Sequence, residues 1–444
     1  MKVNKQTIKN WGNYPVTEAS VIQPQDAKDC NQALSEHRPI IARGLARSYG
    51  DASLNGNVLD IQQLNRFLHF DRKNGLLKAE SGVSLQEILE VSIPEGWFLP
   101  VTPGTKYVTL GGAVAADVHG KNHHKEGSFQ DHVTSLDLLT PQNTVVNCSR
   151  NESPELFNAT CGGMGLTGII LRVTFRLKKI STSRIRQTNY KAQNLEEIFR
   201  LFEDHQDSTY TVAWTDCLAR RKHLGRSILM TGEHAEPKDL PPKAQKEPIK
   251  LFRPSRKNMP FYWPSWVLNS WSVSAFNALY YRKNSSIKNA IVPYEPYFYP
   301  LDAIRNWNRM YGKKGFVQYQ FVLPLNESFE GIKKVLEMVT QDQTASFLVV
   351  LKKMGKGHNM LSFPMEGYTL ALDFPVSKRT FRLLEKLDKI IEAHNGRIYL
   401  AKDARMSSQL FQNTYSGYPD FRNTKNKVDP QNHFSSHLSE RLKI

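Results

Sequence analysis

The chain has few cysteines and lacks the short motifs that mark the commonest nucleotide and zinc sites. Its four cysteines form no CxxC pair and no short framework, which disfavours a disulfide scaffold and fits a reducing compartment or buried thiols. None of its glycine loops has the strand–GxGxxG–helix arrangement, and neither GxxxxGK[ST] nor HExxH occurs. An ordinary Rossmann site, a P-loop and a zinc protease are therefore disfavoured.

Long apolar runs are also scarce. The N-terminal stretch MKVNKQTIKNWGNYP has no apolar segment of the kind that a signal peptide needs. Residues 258–281 carry no charge and are numerous enough to span a bilayer, but two prolines, asparagines and serines interrupt them. Trp263, Trp266 and Trp271 are interspersed, and such mixing suits a membrane interface better than a hydrocarbon core. We expect neither a signal peptide nor a transmembrane helix.

Positive charge, by contrast, is abundant. The formal net charge of +17 favours polyanions or an anionic membrane surface as partners. Between Lys243 and Lys257 six basic residues stand against one acidic residue, directly before the uncharged Trp-rich run. Basic residues beside interfacial aromatics predict a peripheral membrane contact. Other basic residues are spread along the chain without a recognised nucleic-acid module, so no nucleic-acid partner is expected.

The length of 444 residues exceeds the size at which one hydrophobic core stops growing, so two domains are predicted. After about residue 183 the pattern becomes helices alternating with strands. Residues 317–324 and 368–375 read as strands, and 327–339 and 378–394 read as amphipathic helices. This alternation predicts an α+β substrate domain. The Pro- and Lys-rich stretch 235–257 is either mobile or an ordinary solvated loop.

The first 170 residues contain four glycine-bearing turns, each beside apolar structure. They are ARGLARSYGD, the Asn74-Gly75 turn, the PGT…LGG segment and CGGMGLTG. A backbone that approaches a pyrophosphate closely needs glycine, because a Cβ would hold its N–H groups away. The turns therefore predict a dinucleotide cradle, with simple chain reversal as the alternative.

The segment AADVHGKNHHKEGSF, residues 115–129, combines three histidines with two lysines and two glycines. Its spacing allows a metal site, a phosphate cradle or the wall of a cofactor pocket. His119 and His123 would share one helix face, which suits zinc, but Gly120 and Gly127 disfavour a continuous helix. No metal is expected. A plain hydrogen-bonded or solvated role for His123 and His124 stays open.

These motifs resemble the FAD-binding half of the vanillyl-alcohol-oxidase/PCMH-type flavoproteins. Within that superfamily the sequence is most similar to the decaprenylphosphoryl-β-D-ribose 2′-oxidase-like branch. The resemblance continues through VQYQFVLP, LSFP…ALDFP, GRIYLAKDAR and KVDPQNHF, and so covers nearly the whole chain.

The resemblance implies an α+β fold, with a PCMH-type FAD-binding domain of two subdomains and an α+β substrate domain that contains an antiparallel sheet. The implied boundaries are 1–183 for the FAD domain, 184–396 for the substrate domain and 397–444 for a segment that returns to the FAD domain. FAD would be held without a covalent bond, although a link to His119 stays open. We therefore expect the segment HGKNHH to form part of the wall of the cofactor pocket.

The implied reaction transfers a hydride from the 2′-hydroxyl carbon of a polyprenyl-phosphoryl pentose to flavin N5, the first half of a 2′-epimerisation. It implies a short-chain, NADH-dependent reductase as partner and a bacterial protein that is cytoplasmic or peripheral at the inner membrane. A soluble aldonolactone or sugar oxidase of the same superfamily is the alternative. A nucleic-acid-binding protein and a cofactor-free binding module are more remote ones.

The resemblance also implies site residues. The FAD set is Arg43, Gly44, Leu45, Ala46, Arg47, Ser48, Tyr49, Pro103, Gly104, Thr105, Val108, Gly111, Gly112, Ala113, Ala116, His119, Gly120, Asn122, Gly162, Gly165, Gly168, Ile169 and Tyr399. The substrate set is Lys121, Gln318, Gln320, Lys352, Ala371 and Lys402.

Three residues are candidates for accepting the hydroxyl proton: Lys402, His119 and Tyr49. Lys402 is equally suited to clamp a phosphate. One position departs from the familiar pattern, because Ala371 stands where actinobacterial members have a cysteine two residues before the DFP motif. Hydride transfer needs no thiol, so activity is still expected, whereas thiol-directed inhibitors would find no target there.

Overall fold

The computed structural model describes residues 1–252, 257–264, 267, 269–284, 287–344, 346 and 348–444. Its strands form three large sheets and two short ribbons within these ranges. The α-helices are Ala27–Glu36, Leu85–Ser92, Leu110–Ala115, His123–Glu126, Phe129–His132, Pro154–Thr160, Leu195–Asp204, Pro242–Gln245, Ser270–Lys283, Tyr294–Phe298, Ser328–Asp342, Lys378–Ala393, Ser408–Thr414, Tyr418–Val428 and His437–Leu442. Helices and antiparallel sheets together confirm the predicted α+β fold.

The first half of the chain contains two sheets. The smaller has the order Lys2–Lys9, Val16–Gln23, Asn57–Asp60, Ile41–Arg43 and is parallel except at its first pair. The larger is antiparallel, with the order Phe67–Asp71, Leu76–Glu80, Ile169–Arg176, Val133–Leu139, Val145–Ser149. The predicted Asn74-Gly75 turn joins its first two strands, and Gly75 has the left-handed φ of 68° that such a turn favours in glycine.

The helix Leu85–Ser92 packs in the core beneath this second sheet. Ser84 caps it and Glu87 bonds back to the cap, which confirms the predicted capping box. Its apolar side chains are buried with the sheet, while Leu110–Ala115 contacts the strands Leu76–Glu80 and Ile169–Arg176. The Gly-Gly pair thus lies at the start of a short helix beside the sheet.

The second half is built on an antiparallel sheet of eight strands in the described part of the chain. Their order is Ala290–Pro293, Arg184–Ala192, Ser227–His234, Tyr210–Thr215, Val349–Met354, Gly367–Pro375, Phe316–Pro324, Arg397–Ile398. The central strands are buried on both faces, which requires cover on each side. The helices Ser328–Asp342 and Lys378–Ala393 cover one face, and both confirm the sequence-based prediction.

Shorter elements complete the fold. Trp97–Phe98 pairs with Lys178–Lys179, and Lys257–Asn258 pairs with Ile304–Arg305. Single turns of 3₁₀ helix occur at Ile61–Gln63, Ile93–Glu95, Arg221–His223, Pro237–Asp239, Pro300–Ala303 and Trp307–Tyr311. No helix among the described residues is long and apolar enough to cross a bilayer.

The C-terminal residues pack back against the beginning of the chain. The N–H of Ile40 donates to the carbonyl of His433 at 2.8 Å, and that of His437 donates to Leu54 at 2.8 Å. Arg441 forms a bidentate ion pair with the buried Asp51, with both N···O distances 2.9 Å. These contacts bring both ends of the chain to one side of the cleft described below.

Candidate active site

A cleft of about 590 Å³ lies between the glycine-bearing loops of the first half and one face of the eight-stranded sheet. That volume is in the range of small-molecule sites. Most residues of the two predicted sets line it: Arg43, Gly44, Leu45, Ala46, Arg47, Ser48, Tyr49, Pro103, Gly104, Thr105, Val108, Gly111, Gly112, Ala116, His119, Gly165, Gly168, Gln318, Gln320, Lys352, Ala371, Tyr399 and Lys402.

Six of the predicted residues lie outside this wall: Ala113, Gly120, Lys121, Asn122, Gly162 and Ile169. Asn122 donates to the carbonyl of Pro100 at 2.7 Å, and Lys121 contacts the carbonyl of Tyr297. Burial lowers the pKa of Lys121 to about 7, and the charge of Lys352 lowers it further. Its ammonium lies 4.3 Å from the centre of the Tyr297 ring, so Lys121 is engaged away from the cleft.

The first loop presents backbone donors to the cleft. Ala46 has a φ of 54°, a left-handed conformation that alanine seldom adopts. In the described part of the chain, the N–H groups of residues 45–48 donate to no protein acceptor. Successive N–H groups around a left-handed residue form the kind of concavity that binds phosphates. The loop therefore fits a pyrophosphate.

The glycines of the cleft serve two different purposes. A Cβ on Gly104 would meet nothing within 4 Å, so this glycine leaves open space at the wall. A Cβ on Gly111 would come within 2.8 Å of Ser81 Cβ, and one on Gly44 would collide with the side chain of Thr109. Gly104 thus suits close approach of a ligand, whereas Gly44 and Gly111 are required for backbone packing.

The three histidines of HGKNHH have separate surroundings. His119 is in the cleft wall, and the ring of His123 is 6.4 Å away, centre to centre. His123 Nδ1 accepts the N–H of Gly355 at 3.1 Å, and His124 Nε2 lies 2.9 Å from the carbonyl oxygen of Ser208. No group of three or more metal-ligating side chains occurs among the described residues. The segment therefore contributes a cavity wall and two hydrogen-bonded structural histidines.

His119 belongs to an aromatic cluster at the cleft wall. Its ring centre lies 5.3 Å from Tyr399 and 5.5 Å from Phe363, and these two rings stack at 4.5 Å. Gln320 Nε2 donates to His119 Nε2 at 3.1 Å, leaving Nδ1 buried without a partner in the described structure. An unsatisfied buried donor is costly, which fits a wall that a polar heterocycle covers.

Burial keeps His119 and Tyr49 uncharged. It lowers the pKa of His119 well below its ordinary range, and the charges of Lys352, His123 and Lys402 add to the effect. It raises the pKa of Tyr49 well above its ordinary range, with Asp373 contributing. His119 is consequently a weak base, and the phenol of Tyr49 stays protonated.

Two partly buried lysines face the same cleft. Burial lowers the pKa of Lys402 to about 7; Lys352 lowers it further and Asp373 opposes the decrease. Burial lowers the pKa of Lys352 to about 8. Near neutral pH the amine of Lys402 is thus close to half protonated, while Lys352 is mostly charged. The cleft holds one amine that accepts protons and one fixed cation.

Sheet register explains why the substrate-side residues meet. Gln320 and Val350 both pair with Ala371, and Lys352 pairs with Thr369. Directly opposed residues of antiparallel strands share a face, and so do residues two apart on one strand. The predicted Gln318 and Gln320 are therefore on the cleft face together with Lys352.

The sequence analysis missed two acidic side chains beside this site. Asp373 pairs with Gln318 in the register and accepts its Nε2 donor at 2.6 Å. Asp302 accepts the N–H of Lys106 at 3.0 Å and thereby fixes the loop that contains Gly104. The sequence did contain a signal for Asp373, because it lies two residues after Ala371 and so shares its face of the strand. Asp302 is brought to the loop only by tertiary packing.

Comparison with known proteins shows a match to a flavin-binding family and to several oxidoreductases. Residues 19–149 match the family described as FAD binding domain. Decaprenylphosphoryl-beta-D-ribose oxidase of Mycolicibacterium smegmatis is 35% identical over 98% of this chain and 97% of its own length. An uncharacterised Streptomyces coelicolor protein is 32% identical over 81% of this chain and all of its own. L-gulonolactone oxidase of Bos taurus is 24% identical over 45% of this chain and 46% of its own.

The matched FAD binding domain includes residues 45–48, whose N–H groups have no protein acceptor in the described structure, together with Gly104 and His119. The cleft and the family therefore agree on the cofactor. The similarity to the mycobacterial oxidase extends over both halves, including the sheet that carries Lys352 and the turn that carries Lys402. The chain belongs to the decaprenylphosphoryl-β-D-ribose oxidase family and is an FAD-dependent oxidoreductase.

Proposed function

We propose that this protein oxidises the 2′-hydroxyl of a polyprenyl-phosphoryl pentose to a ketone, as the first half of a 2′-epimerisation. The observation that carries the proposal is the pair of lysines in the cleft wall, Lys352 on the sheet and Lys402 in the turn after Arg397–Ile398. Lys352 forms no ion pair in the described structure, and Lys402 faces a single acidic side chain, Asp373. A cleft with surplus positive charge suits a phosphorylated substrate.

The bound FAD would supply a hydride acceptor. Side chains of the protein would accept the proton and orient the substrate. The hydroxyl proton has to leave as the carbon–hydrogen bond breaks, so an unprotonated base is needed beside it. We assign this role to the amine of Lys402, because Tyr49 stays protonated and His119 is a poor base. Lys402 gains the proton and the substrate carbon becomes a carbonyl.

The other side chains would orient the substrate. Lys352 retains its charge near neutral pH and suits the phosphate of the substrate. The ring of Tyr49 lies beneath Lys402 Nζ, and its protonated phenol would donate a hydrogen bond to the substrate. Phe363 and Tyr399, stacked on His119, exclude water from the reacting centre.

An absorption spectrum followed by anaerobic titration tests the function. We expect the purified protein to be yellow and to bleach when polyprenyl-phosphoryl pentose is added without oxygen. Bleaching by free lactones, with rapid peroxide formation in air, would instead support the aldonolactone-oxidase alternative. That alternative is less well supported, because the L-gulonolactone oxidase of Bos taurus matches under half of the chain.

We also propose the division into 1–183, 184–396 and 397–444, and a flavin held without a covalent bond. The packing of Arg441 on Asp51 supports a C-terminal segment that belongs with the FAD domain. Acid precipitation of the holoenzyme tests the attachment. Release of all yellow colour into the supernatant is the expected result, and colour retained in the pellet would indicate a link such as one through His119.

The ketone product implies a second enzyme, and we propose an NADH-dependent short-chain reductase as the partner. Reduction from the opposite face of the carbonyl would complete the inversion. With an added electron acceptor that reoxidises the flavin, adding such a reductase should give continuous NADH consumption. NADH consumption that is the same without this oxidase would contradict the coupling.

We further propose a peripheral contact with an anionic membrane through the helix Ser270–Lys283. Trp271 and Leu279 are 86% and 65% exposed, and Arg282 and Lys283 end the helix. Basic residues near an anionic surface contribute roughly 1 kcal/mol each. Trp263, also predicted at the interface, lies against the cluster around Trp307 instead.

The predicted interface residue Trp266 lies outside the described residues. Flotation with vesicles that contain anionic lipid tests the contact. Replacing Trp271 and Leu279 with serine should weaken flotation, whereas Val145→Ser, 52% exposed on another sheet, should not. Equal flotation on neutral vesicles would count against an electrostatic contribution.

A further inference from the structure

A buried carboxylate lies beside the substrate end of the cleft, on the same sheet face as Ala371 and Gln318. Asp373 has no exposed surface, and its Oδ1 accepts a hydrogen bond from Gln318 Nε2 at 2.6 Å. Its backbone N–H donates to Ser346 Oγ at 2.9 Å. Gln318 itself is in the cleft wall, so the carboxylate reaches the cleft through one amide group.

The surroundings of Asp373 differ from those of two other acids in the same half of the chain, the partly buried Asp388 and the buried Asp403. Asp388 is paired with Arg405 at 2.5 Å, and Asp403 is paired with Arg441 at 2.9 Å. Within the described residues Asp373 forms no ion pair, and its hydrogen-bonding side chains are neutral. A buried carboxylate without a paired cation destabilises a fold, so such a group points to a function.

Gln318 also hydrogen-bonds Tyr49, over whose ring Lys402 Nζ lies. We propose that Asp373 is a positioning residue of the oxidation, one that orients Lys402 through Gln318 and Tyr49 and supplies the negative charge facing it. The inference rests on the proposed function. Asp373 is predicted to touch neither substrate nor cofactor, and it would act through the proton acceptor.

The charged and titratable groups around this pair come from four elements. Asp373 is on the strand Gly367–Pro375, Lys352 on Val349–Met354, Lys402 in the turn that follows Arg397–Ile398, and Tyr49 in the first loop. Asp373 in turn faces Gln318 and Tyr311. His119 stays uncharged and adds no charge to the balance.

The electrostatics support this geometry. Burial raises the pKa of Asp373 to about 7, while Gln318 and Lys402 oppose the increase. Burial lowers the pKa of Lys402 to about 7, so the two groups titrate in the same range. Because the charge of each group opposes the pKa shift of the other, a change in one is felt by the other. Removing the negative charge should make Lys402 lose its proton at a lower pH.

Asp373→Asn in the holoenzyme tests the inference, because the amide keeps the size and loses the charge. With polyprenyl-phosphoryl pentose we expect kcat to fall about 10-fold or more, since a displaced catalytic group is costly. The acid limb of kcat/KM should move to lower pH. Asp388→Asn is the matched control: its carboxylate is partly buried beside Arg405 outside the cleft wall, and its pH profile should equal that of the wild type.

A second readout requires no substrate. Titration of an amine beside the flavin should change the flavin absorption spectrum with pH, and Lys402→Met should abolish that transition. In Asp373→Asn the transition should move to lower pH. A spectrum transition and a kinetic limb both at the wild-type pH would overturn the inference, even if the variant is less stable.

These two readouts also separate this inference from the proposed function. If the wild type is not bleached by polyprenyl-phosphoryl pentose but the spectral transition still moves, the substrate assignment fails and the coupling between Asp373 and Lys402 stands. If Asp373→Asn does not retain flavin, Gln318→Leu breaks the same hydrogen bond and keeps the carboxylate. It should lower kcat, and unchanged kinetics would overturn the proposal.

Discussion

The ammonium group of Lys402 lies 3.8 Å from the centre of the Tyr49 ring. The two residues come from opposite ends of the chain, and the N–H of Tyr49 donates to the carbonyl of Ala401 at 3.0 Å. The C-terminal segment thus places its lysine against the first glycine-bearing loop. The reacting end of the cleft is complete only when both ends of the chain are folded.

Lys402→Met should lower kcat by roughly 10²- to 10⁴-fold, the usual contribution of a positioned base. The pKa of Lys402 is about 7, and the reaction needs its unprotonated amine. Activity of the wild type should therefore rise as the pH increases through about 7 and level off above. The variant should lose this limb. Lys389→Met, on the exposed face of Lys378–Ala393, should change neither property.

A profile that falls as the pH rises through 7 would contradict the role of Lys402 as a base. That result would indicate that the charged ammonium is required, and Lys402 would then clamp the phosphate. The flavin content of each variant, measured from its absorption, distinguishes lost catalysis from lost cofactor.

Lys352→Met should raise KM for the phosphorylated substrate more than it lowers kcat, because a fixed cation contributes to binding throughout the reaction. Lys353 is the matched control. It is the next residue of the same strand, points to the opposite face and pairs with Glu203. Lys353→Met should leave KM unchanged, and equal effects of the two variants would refute a phosphate contact at Lys352.

Much of this architecture follows from sequence periods. Alternation in 317–324 and 368–375 predicted two strands, and helical spacing predicted helices at 327–339 and 378–394, which the structure has at Ser328–Asp342 and Lys378–Ala393. These elements bury apolar side chains at regular intervals, and this spacing can be read from the local sequence. The Asn-Gly turn and the capping box succeeded because each needs particular residue types at fixed positions.

The site was less predictable where tertiary register decides. Lys121 lies two residues from His119, yet it contacts Tyr297 outside the cleft, because a loop has no fixed period to assign its faces. Asp373 was missed although Ala371 was assigned, since only the pairing of Gln318 with Asp373 shows its partner. The family resemblance identified residue types but not these pairings.

Gly104→Val should weaken FAD binding without destabilising the protein free of cofactor. A side chain at this position meets nothing within 4 Å in the protein, so it would fill space that the ligand uses. Gly56 is equally open but lies outside the cleft, and Gly56→Val is the control. Flavin fluorescence titration gives the affinities and thermal melting of the apoprotein gives stability. Unchanged affinity in Gly104→Val would move the cofactor away from this loop.

Ala371→Cys should make the enzyme sensitive to thiol-directed inhibitors. Ala371 is in the cleft wall beside Gln320 and Val350, whereas the four native cysteines are buried. Burial also raises the pKa of Cys30 and of Cys217 to about 12, which leaves their thiols unreactive. Covalent labelling followed by mass spectrometry should find modification only in the variant, with loss of activity. Equal inactivation of the wild type would place the reactive group elsewhere.

Asp117→Ala should destabilise the protein by about 3 kcal/mol, because each buried donor left without an acceptor costs about 1–3 kcal/mol. Asp117 is fully buried and accepts hydrogen bonds from Ser128 Oγ at 2.9 Å, Gln130 N at 3.0 Å and Ser362 Oγ at 2.5 Å. The last bond joins the two halves of the chain one residue before Phe363.

The comparison for this variant is Asp71→Ala. Asp71 also accepts three hydrogen bonds, two from backbone N–H groups and one from the side chain of Asn74, but in a solvent-exposed turn. Water replaces these bonds when the carboxylate is removed, so the loss of stability should be smaller. Denaturant unfolding of both variants measures the difference. Similar losses of stability in the two variants would contradict the importance of burial for the hydrogen bonds of Asp117. In that case packing alone would maintain the contact between His119 and Phe363.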